Sequence, residues 1–313
     1  MSNNNGLIFT VANRLYIQEE LPILATYKKN TDSCYSASAE NVDFELPETR
    51  NKINTWVMNK TKDKIEDLLP EDSLSEVTMA VLVNAIYFYG SWKYPFIRTN
   101  TTKEDFKIPE GYMKATASSL QVDMMKQFGN FSTCYPRDIE ARVLQMSYRG
   151  DTLSMLFILP EKVDGINDVT RNMTKFNFTE CIKLKPPRPL DVEIPRFEIT
   201  IDYQMKGILT GLGLKDMFDE DKADLTGISN SLLHPLYVEE VYHKAFITVD
   251  EEGSEAAAAT TIVINTHSAP PPAFICDHPF LFMIVENNYG TVLFMGRVFN
   301  PTETIEVTKV YHA

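Results

Sequence analysis

The chain has 313 residues, 44% of them hydrophobic, enough for a large core in one big domain or two ordinary ones. Its 43 acidic and 30 basic residues give a net charge of −13, which argues against nucleic acid or an anionic membrane as a main partner; a charge of this size also simply keeps many proteins soluble. No run approaches the ~18 consecutive apolar residues of a membrane span, and MSNNNGLIFTVANRLYIQEE lacks the basic region and long apolar stretch of a signal peptide.

Taken in chain order, residues 8–17 alternate as a strand does, and residues 22–29 suit a short helix. Residues 49–69 carry Ile53, Trp56, Val57, Met58, Ile65, Leu68 and Leu69 at near-helical spacing behind a Pro47-Glu48 start. Residues 77–89, VTMAVLVNAIYFY, are almost wholly apolar, as in a central strand buried on both faces. Short strands separated by turn residues fill 120–160, a mixed helical patch covers 163–181, and LDVEIPRFEITIDY is strand-like. A helix near 205–214 precedes strands at 236–249, 280–286 and 291–298. With neither repeats nor a linker, the expectation is a single domain over 1–313, α+β with large, mostly antiparallel sheets.

The chemistry-bearing residues form no catalytic motif. His234, His243, His267, His278 and His312 accompany no GxSxG, HExxH or phosphate-binding glycine loop, and Gly211-Leu212-Gly213 reads as a helix C-cap. Neither an enzyme nor a cofactor is expected. Cys34, Cys134, Cys181 and Cys276 are far apart without a CxxC pair, so they read as free or incidental thiols and no metal site is expected. Sequons at Asn59, Asn100, Asn130, Asn172 and Asn177 mark possible N-glycosylation and point toward a secretory route. His243 sits in the strand-like VYHKAFITVD, where a lone histidine is usually a satisfied core residue. Asn84, inside an apolar strand, needs a partner, and pairing the two across a sheet satisfies both.

These segments together resemble the serpin family of serine protease inhibitors. LVNAIYFYGSWKYPF looks like the third strand of the serpin central sheet and the segment after it, and VYHKAFITVDEEGSEAAAAT looks like the fifth strand running into the hinge of the reactive-centre loop. VEIPRFEI, GLGLKDMFDEDKADLTGIS, DHPFLFMI and VLFMGRVFNP match as well, so that the likeness spans residues 6–301. The resemblance implies the serpin fold, with a large central sheet, further sheets, surrounding helices and an exposed reactive-centre loop at about 251–272. It assigns Asn84 and His243 to the shutter under the sheet and Trp92 to the breach where the loop enters.

It also explains a segment that otherwise contradicts itself. In EEGSEAAAATTIVINTHSAPPP, four alanines favour helix, Thr260–Ile264 favours strand, and three prolines end both. As a strand entering a sheet, one face reads Ser254, Ala256, Ala258, Thr260, Ile262, Ile264, small at entry, apolar further in and free of charge. Glu255, Ala257 and Ala259 fall on the other face, and Gly253 supplies the pivot after Glu251. Burying Ile262 and Ile264 is worth ~3–6 kcal/mol, and each new backbone hydrogen bond adds ~1 kcal/mol, so the uninserted loop is held back kinetically. The resemblance implies a suicide substrate: a protease forms an acyl-enzyme with the loop and is dragged along as the cleaved loop inserts. Counting from the hinge puts the reactive bond between His267 and Ser268, within the window Thr266–Ser268. A histidine there fits a chymotrypsin-like or elastase-like target better than a trypsin-like one. A cysteine protease target and a non-inhibitory binding protein are the alternatives, and small hinge residues favour inhibition.

The likeness begins at what resembles the second central strand, so roughly the first quarter of a full-length member has no counterpart. A leader upstream would be invisible, and the extracellular compartment is expected from the sequons. No glycosaminoglycan site carries over. A monomer is expected, with lowered stability and polymerisation as the consequence of an uncovered sheet, or an inactive truncated form.

Overall fold

The computed structural model describes residues 6–111, 118–177, 186–231, 235–252 and 271–303. In chain order these form β1 (Leu7–Gln18), α1 (Ala25–Tyr35), β2 (Ser38–Val42), α2 (Pro47–Lys60), β3 (Ala80–Gly90), β4 (Thr102–Lys107), β5 (Ser119–Cys134), β6 (Ala141–Ser147) and β7 (Leu153–Pro160). They continue as α3 (Ile166–Asn172), β8 (Arg188–Pro195), β9 (Phe197–Gln204), α4 (Lys206–Gly211), β10 (Glu240–Val249), β11 (Ala273–Ile275), β12 (Phe280–Glu286) and β13 (Val292–Val298). The contacts divide them into two compact units, one built on Phe9–Phe88 and Ile199–Ile247, the other on the residues up to Ile8, Tyr89–Glu198 and those from Thr248 on.

The first unit carries a five-stranded sheet in the order β2-β1-β3-β10-β9. β1 and β2 pair in parallel, Arg14 opposite Ser38 through Gln18 opposite Val42. β3 and β10 also pair in parallel, Val81 opposite Glu240 through Phe88 opposite Ile247. Gln18 N–H at the end of β1 donates to Met79 O just before β3, and Met205 N–H just after β9 donates to Val241 O at the start of β10. These two neighbours therefore run antiparallel. Parallel and antiparallel ladders alternate across this sheet, a detail that strand spacing in the sequence does not reveal.

Beneath it, Leu15, Ile17, Leu21, Ala80 and Leu236 make one core cluster, and Phe218, Val238 and Val241 another. Arg14 ties β1 to its surroundings: its guanidinium bonds Ser38 and Glu40 and lies 4.1 Å from the Trp56 ring centroid on α2.

The second unit carries an eight-stranded sheet, β11-β8-β5-β6-β7-β12-β13 with β4 also on β5, antiparallel except for β11 on β8. β7, LSMLFILP, is buried along its whole length because it lies mid-sheet between β6 and β12. Phe280 gathers Phe106, Phe157 and Phe197 around it at centroid distances of 5.7–6.5 Å.

Several elements differ from their sequence expectation. The helix expected at 22–29 is α1, shifted to 25–35, because Leu24 is extended with its N–H held by Ile228 O. The helix expected through residue 69 stops at Lys60. Thr61 caps it, with its hydroxyl bonding Val57 O and accepting the Ile65 N–H, while Lys62 and Asp63 turn left-handed at φ 55° and 58°. Ile65, Leu68 and Leu69 keep their burial without the helix, because Asn54 bonds both backbone groups of Leu69 at 2.8 and 3.0 Å. β3 is buried on one face and half-buried on the other, rather than on both. β2 and β4, both rich in polar residues, had no apolar run to announce them.

Candidate functional site

Asn84, Trp92, His243 and Glu251 fall into two constellations. The first lies on the five-stranded sheet. Asn84 on β3 and His243 on β10 stand directly opposite each other in the parallel ladder. The Asn84 side-chain carbonyl meets His243 Nδ1, and its amide donates to Asn13 Oδ1 on β1. An amide oriented this way assigns the proton to His243 Nδ1, since the Asn84 oxygen only accepts. Tyr203 on β9 stacks on the imidazole, rings 6.3 Å apart and 7° from parallel. Burial lowers the His243 pKa, which keeps the ring neutral. The chain Asn13–Asn84–His243 thus links three adjacent strands through side chains.

Asn13 was missed by sequence reasoning. Its signal was an asparagine within the alternating run VANRLYI, the same oddity that drew notice to Asn84.

The second constellation follows β3 and receives β10. Trp92 is 2% exposed and stacks on the fully buried Tyr148, rings 4.7 Å apart and 6° from parallel, while its indole N–H donates to Asp250 O at 2.9 Å. Phe96 N–H donates to Glu251 O at 2.9 Å. The Glu251 carboxylate is buried, and its Oε1 accepts from Arg196 Nη2 at 2.5 Å and from the Thr101 hydroxyl at 2.6 Å. Burial pushes the Glu251 pKa up, but the hydrogen bonds from Arg196 and Thr101 outweigh it and hold the group below its ordinary value. The backbone is thereby fixed up to Glu252, whose N–H bonds Asp250 Oδ1 and whose side chain pairs with Arg98 at 2.8 Å. Glu251, singled out as a hinge residue, is the buried anchor of this site.

Arg196 and Thr101 were not singled out from the sequence. Arg196 sits in the PRF break between β8 and β9, where a charge between two apolar strands was the available sign.

Gly253, Ser254, Ala256, Ala257, Ala258, Ala259, His267 and Ser268 lie outside the described residues, as do His234, His312 and Cys181. His278 is a buried structural residue, with Nε2 on Pro160 O and Nδ1 on Asp277. The cysteine expectation needs one correction: Cys34 and Cys276 are free thiols, but Cys134, at the end of β5, is disulfide-bonded. Pairing depends on which strand ends meet in space, and sequence spacing without a CxxC motif carries no trace of it. Among the described residues no His, Cys, Asp and Glu cluster suits a metal ion.

Comparison with known proteins agrees with this architecture. A family model described as serpin (serine protease inhibitor) matches residues 1–301. Human Serpin B4 is 38% identical over 93% of this chain and 74% of its own length, and human leukocyte elastase inhibitor is 36% identical over 94% and 78%. A crystal structure of uncleaved ovalbumin superposes with a TM-score of 0.83 at 29% identity, covering 96% of this chain and 75% of that one.

Proposed function

The chain belongs to the serpin family of serine protease inhibitors, and from that premise we propose that it traps its target as a suicide substrate, by inserting its cleaved reactive-centre loop between β3 and β10. The observation that carries this reading is the direct parallel ladder between β3 and β10. A strand that turns back after β10 and enters between them runs antiparallel to both neighbours. One parallel ladder, the slightly weaker kind per residue, is then exchanged for two antiparallel ones. The uncharged face Ser254, Ala256, Ala258, Thr260, Ile262, Ile264 suits that passage.

Asn84 and His243 act in this reading as a latch across the gap, because insertion has to part the two strands that their hydrogen bond joins. Trp92, Thr101 and Arg196 hold Asp250 and Glu251 still, so that motion starts at Gly253. The reactive bond is His267–Ser268, and the target is a chymotrypsin-like or elastase-like serine protease. The name of the related leukocyte elastase inhibitor supports the second. The disulfide at Cys134 supports an oxidising, secretory compartment.

The test is a denaturing gel of the purified chain with elastase, chymotrypsin, trypsin and a papain-like protease. An SDS-resistant band at the summed mass with elastase or chymotrypsin is expected, with mass spectrometry placing the cut after His267. Clean cleavage within 265–269 and no such band refutes inhibition and leaves a substrate-like binding protein; a band with the papain-like protease alone refutes the serine protease target.

A further inference from the structure

A cavity of about 180 Å³ opens on the eight-stranded sheet, with Lys93, Tyr94, Asn130, Ser132, Gln145 and Ser147 among its lining residues. Loop insertion makes no use of it. At this size it is below the roughly 300 Å³ at which pockets for drug-sized ligands begin, so it holds about one ring. Its chemistry suits a neutral, hydroxyl-rich ring. The Lys93 ammonium is committed to both carboxylate oxygens of Asp151, at 2.7 and 2.8 Å, and offers no free charge. Gln145 and Ser147 supply polar groups, and Tyr94, 61% exposed, supplies an aromatic face for the C–H side of a sugar.

The cavity also contains an attachment point. Asn130 and Ser132 are the acceptor and hydroxyl residues of the sequon Asn130-Phe131-Ser132, and strand alternation on β5 sends them to one side while Phe131 is buried. Asn130 is exposed and pairs through its backbone with Pro189 on β8, so the ladder holds its position. Of the five sequon asparagines, Asn130 is the one among this cavity's lining residues.

We propose that Asn130 is N-glycosylated and that this cavity seats the first N-acetylglucosamine of its glycan against Tyr94. The proposal rests on the secretory compartment inferred above. The donor is a polyprenyl diphosphate-linked oligosaccharide. Asn130 Nδ2 forms the bond to the anomeric carbon, the carbon–oxygen bond to the diphosphate breaks, the diphosphate leaves with the electron pair, and one amide proton passes to base. Transfer occurs on the unfolded chain, so the cavity plays no part in it. The seat forms on folding and ties the β5–β6 seam to the segment after Trp92.

The test uses the full chain made in human cells, once from its own N-terminus and once behind a cleavable leader, with occupancy at each sequon read by mass spectrometry. With the leader, Asn130 is expected to be occupied. Peptide-N-glycosidase is expected to release its glycan about tenfold more slowly than that of any other occupied sequon in the native protein, and equally fast after denaturation. Tyr94→Ala should abolish the native protection while leaving occupancy unchanged. An unmodified Asn130 in the leader-directed chain, or native release as fast as from denatured protein, overturns the seat. A leader-directed chain that behaves as expected beside an unmodified chain from its own N-terminus supports the seat and overturns only the compartment reading.

Discussion

Glu251→Gln isolates the buried anchor just after β10. The substitution preserves shape and removes the charge that accepts from both Arg196 and Thr101. Breaking a fully buried ion pair costs about 3–5 kcal/mol. Here the Arg196 side chain is 45% exposed while Glu251 is 2% exposed, so water recovers part of the loss on the arginine side. Hydrogen bonds to a charged group, worth about 1.5–3 kcal/mol, set the remaining scale, and the expected loss is about 2 kcal/mol. For 313 residues the unfolding entropy gives about 1.5 °C per kcal/mol, so the melting temperature falls by roughly 3 °C.

The assay is a thermal melt of both proteins across pH 3–8. The Glu251 carboxyl is held below its ordinary value of 4.5, so its contribution is complete above that value and is lost as pH falls through the lower, folded pKa. The two melting curves should therefore differ at neutral pH and converge in acid. Arg196→Met should lose a similar amount, and the double variant less than the sum. Equal melting at pH 7, or a difference that persists unchanged to pH 3, refutes the reasoning that the ion pair with Arg196 anchors Glu251.

Other outcomes rest on the same geometry. Asn84→Ala and Asn13→Ala each strand a polar partner and should cost about 1–3 kcal/mol in urea unfolding, with the double variant less than additive; strict additivity would mean that the two amides are independent. Because burial lowers the His243 pKa, the unfolded chain binds more protons below its ordinary value of 6.5. Stability is then complete above 6.5 and falls as pH drops toward the folded pKa, and His243→Gln should flatten that dependence between pH 7.5 and 5. Ala258→Glu places a charge on the inward face of the loop and should convert inhibition into plain cleavage, read as loss of the SDS-resistant band at an unchanged cleavage rate; a persisting band would show that this residue does not enter the sheet.

The legible elements were those whose side chains carry a period. β1 alternates, β12 is a short apolar run, and both stand within a residue or so of where the pattern puts them. The α2 pattern misled beyond Lys60 because Ile65, Leu68 and Leu69 are buried through Thr61 and the Asn54 bridge to Leu69 rather than along a helix face. Periodicity reports burial, and burial has more than one backbone solution. Asn84 and His243 were legible as a pair because two polar side chains in apolar strands each required a partner. Asn13 required one equally but stood among residues polar enough to hide it.

The sequence by itself determined the strands that carry an apolar or alternating pattern, which face of the loop is small and uncharged, and that the family is serpin, because each is a property of residue order along one chain. Tertiary structure alone decided that β3 and β10, whose paired residues stand 159 apart in the sequence, are parallel neighbours. It decided as well that Glu251 is buried under Arg196 and Thr101, and that Cys134 is bonded while Cys34 and Cys276 are not. Local preference acts over a few residues, whereas a carboxylate's partner or a thiol's is whichever group folding brings within about 3 Å.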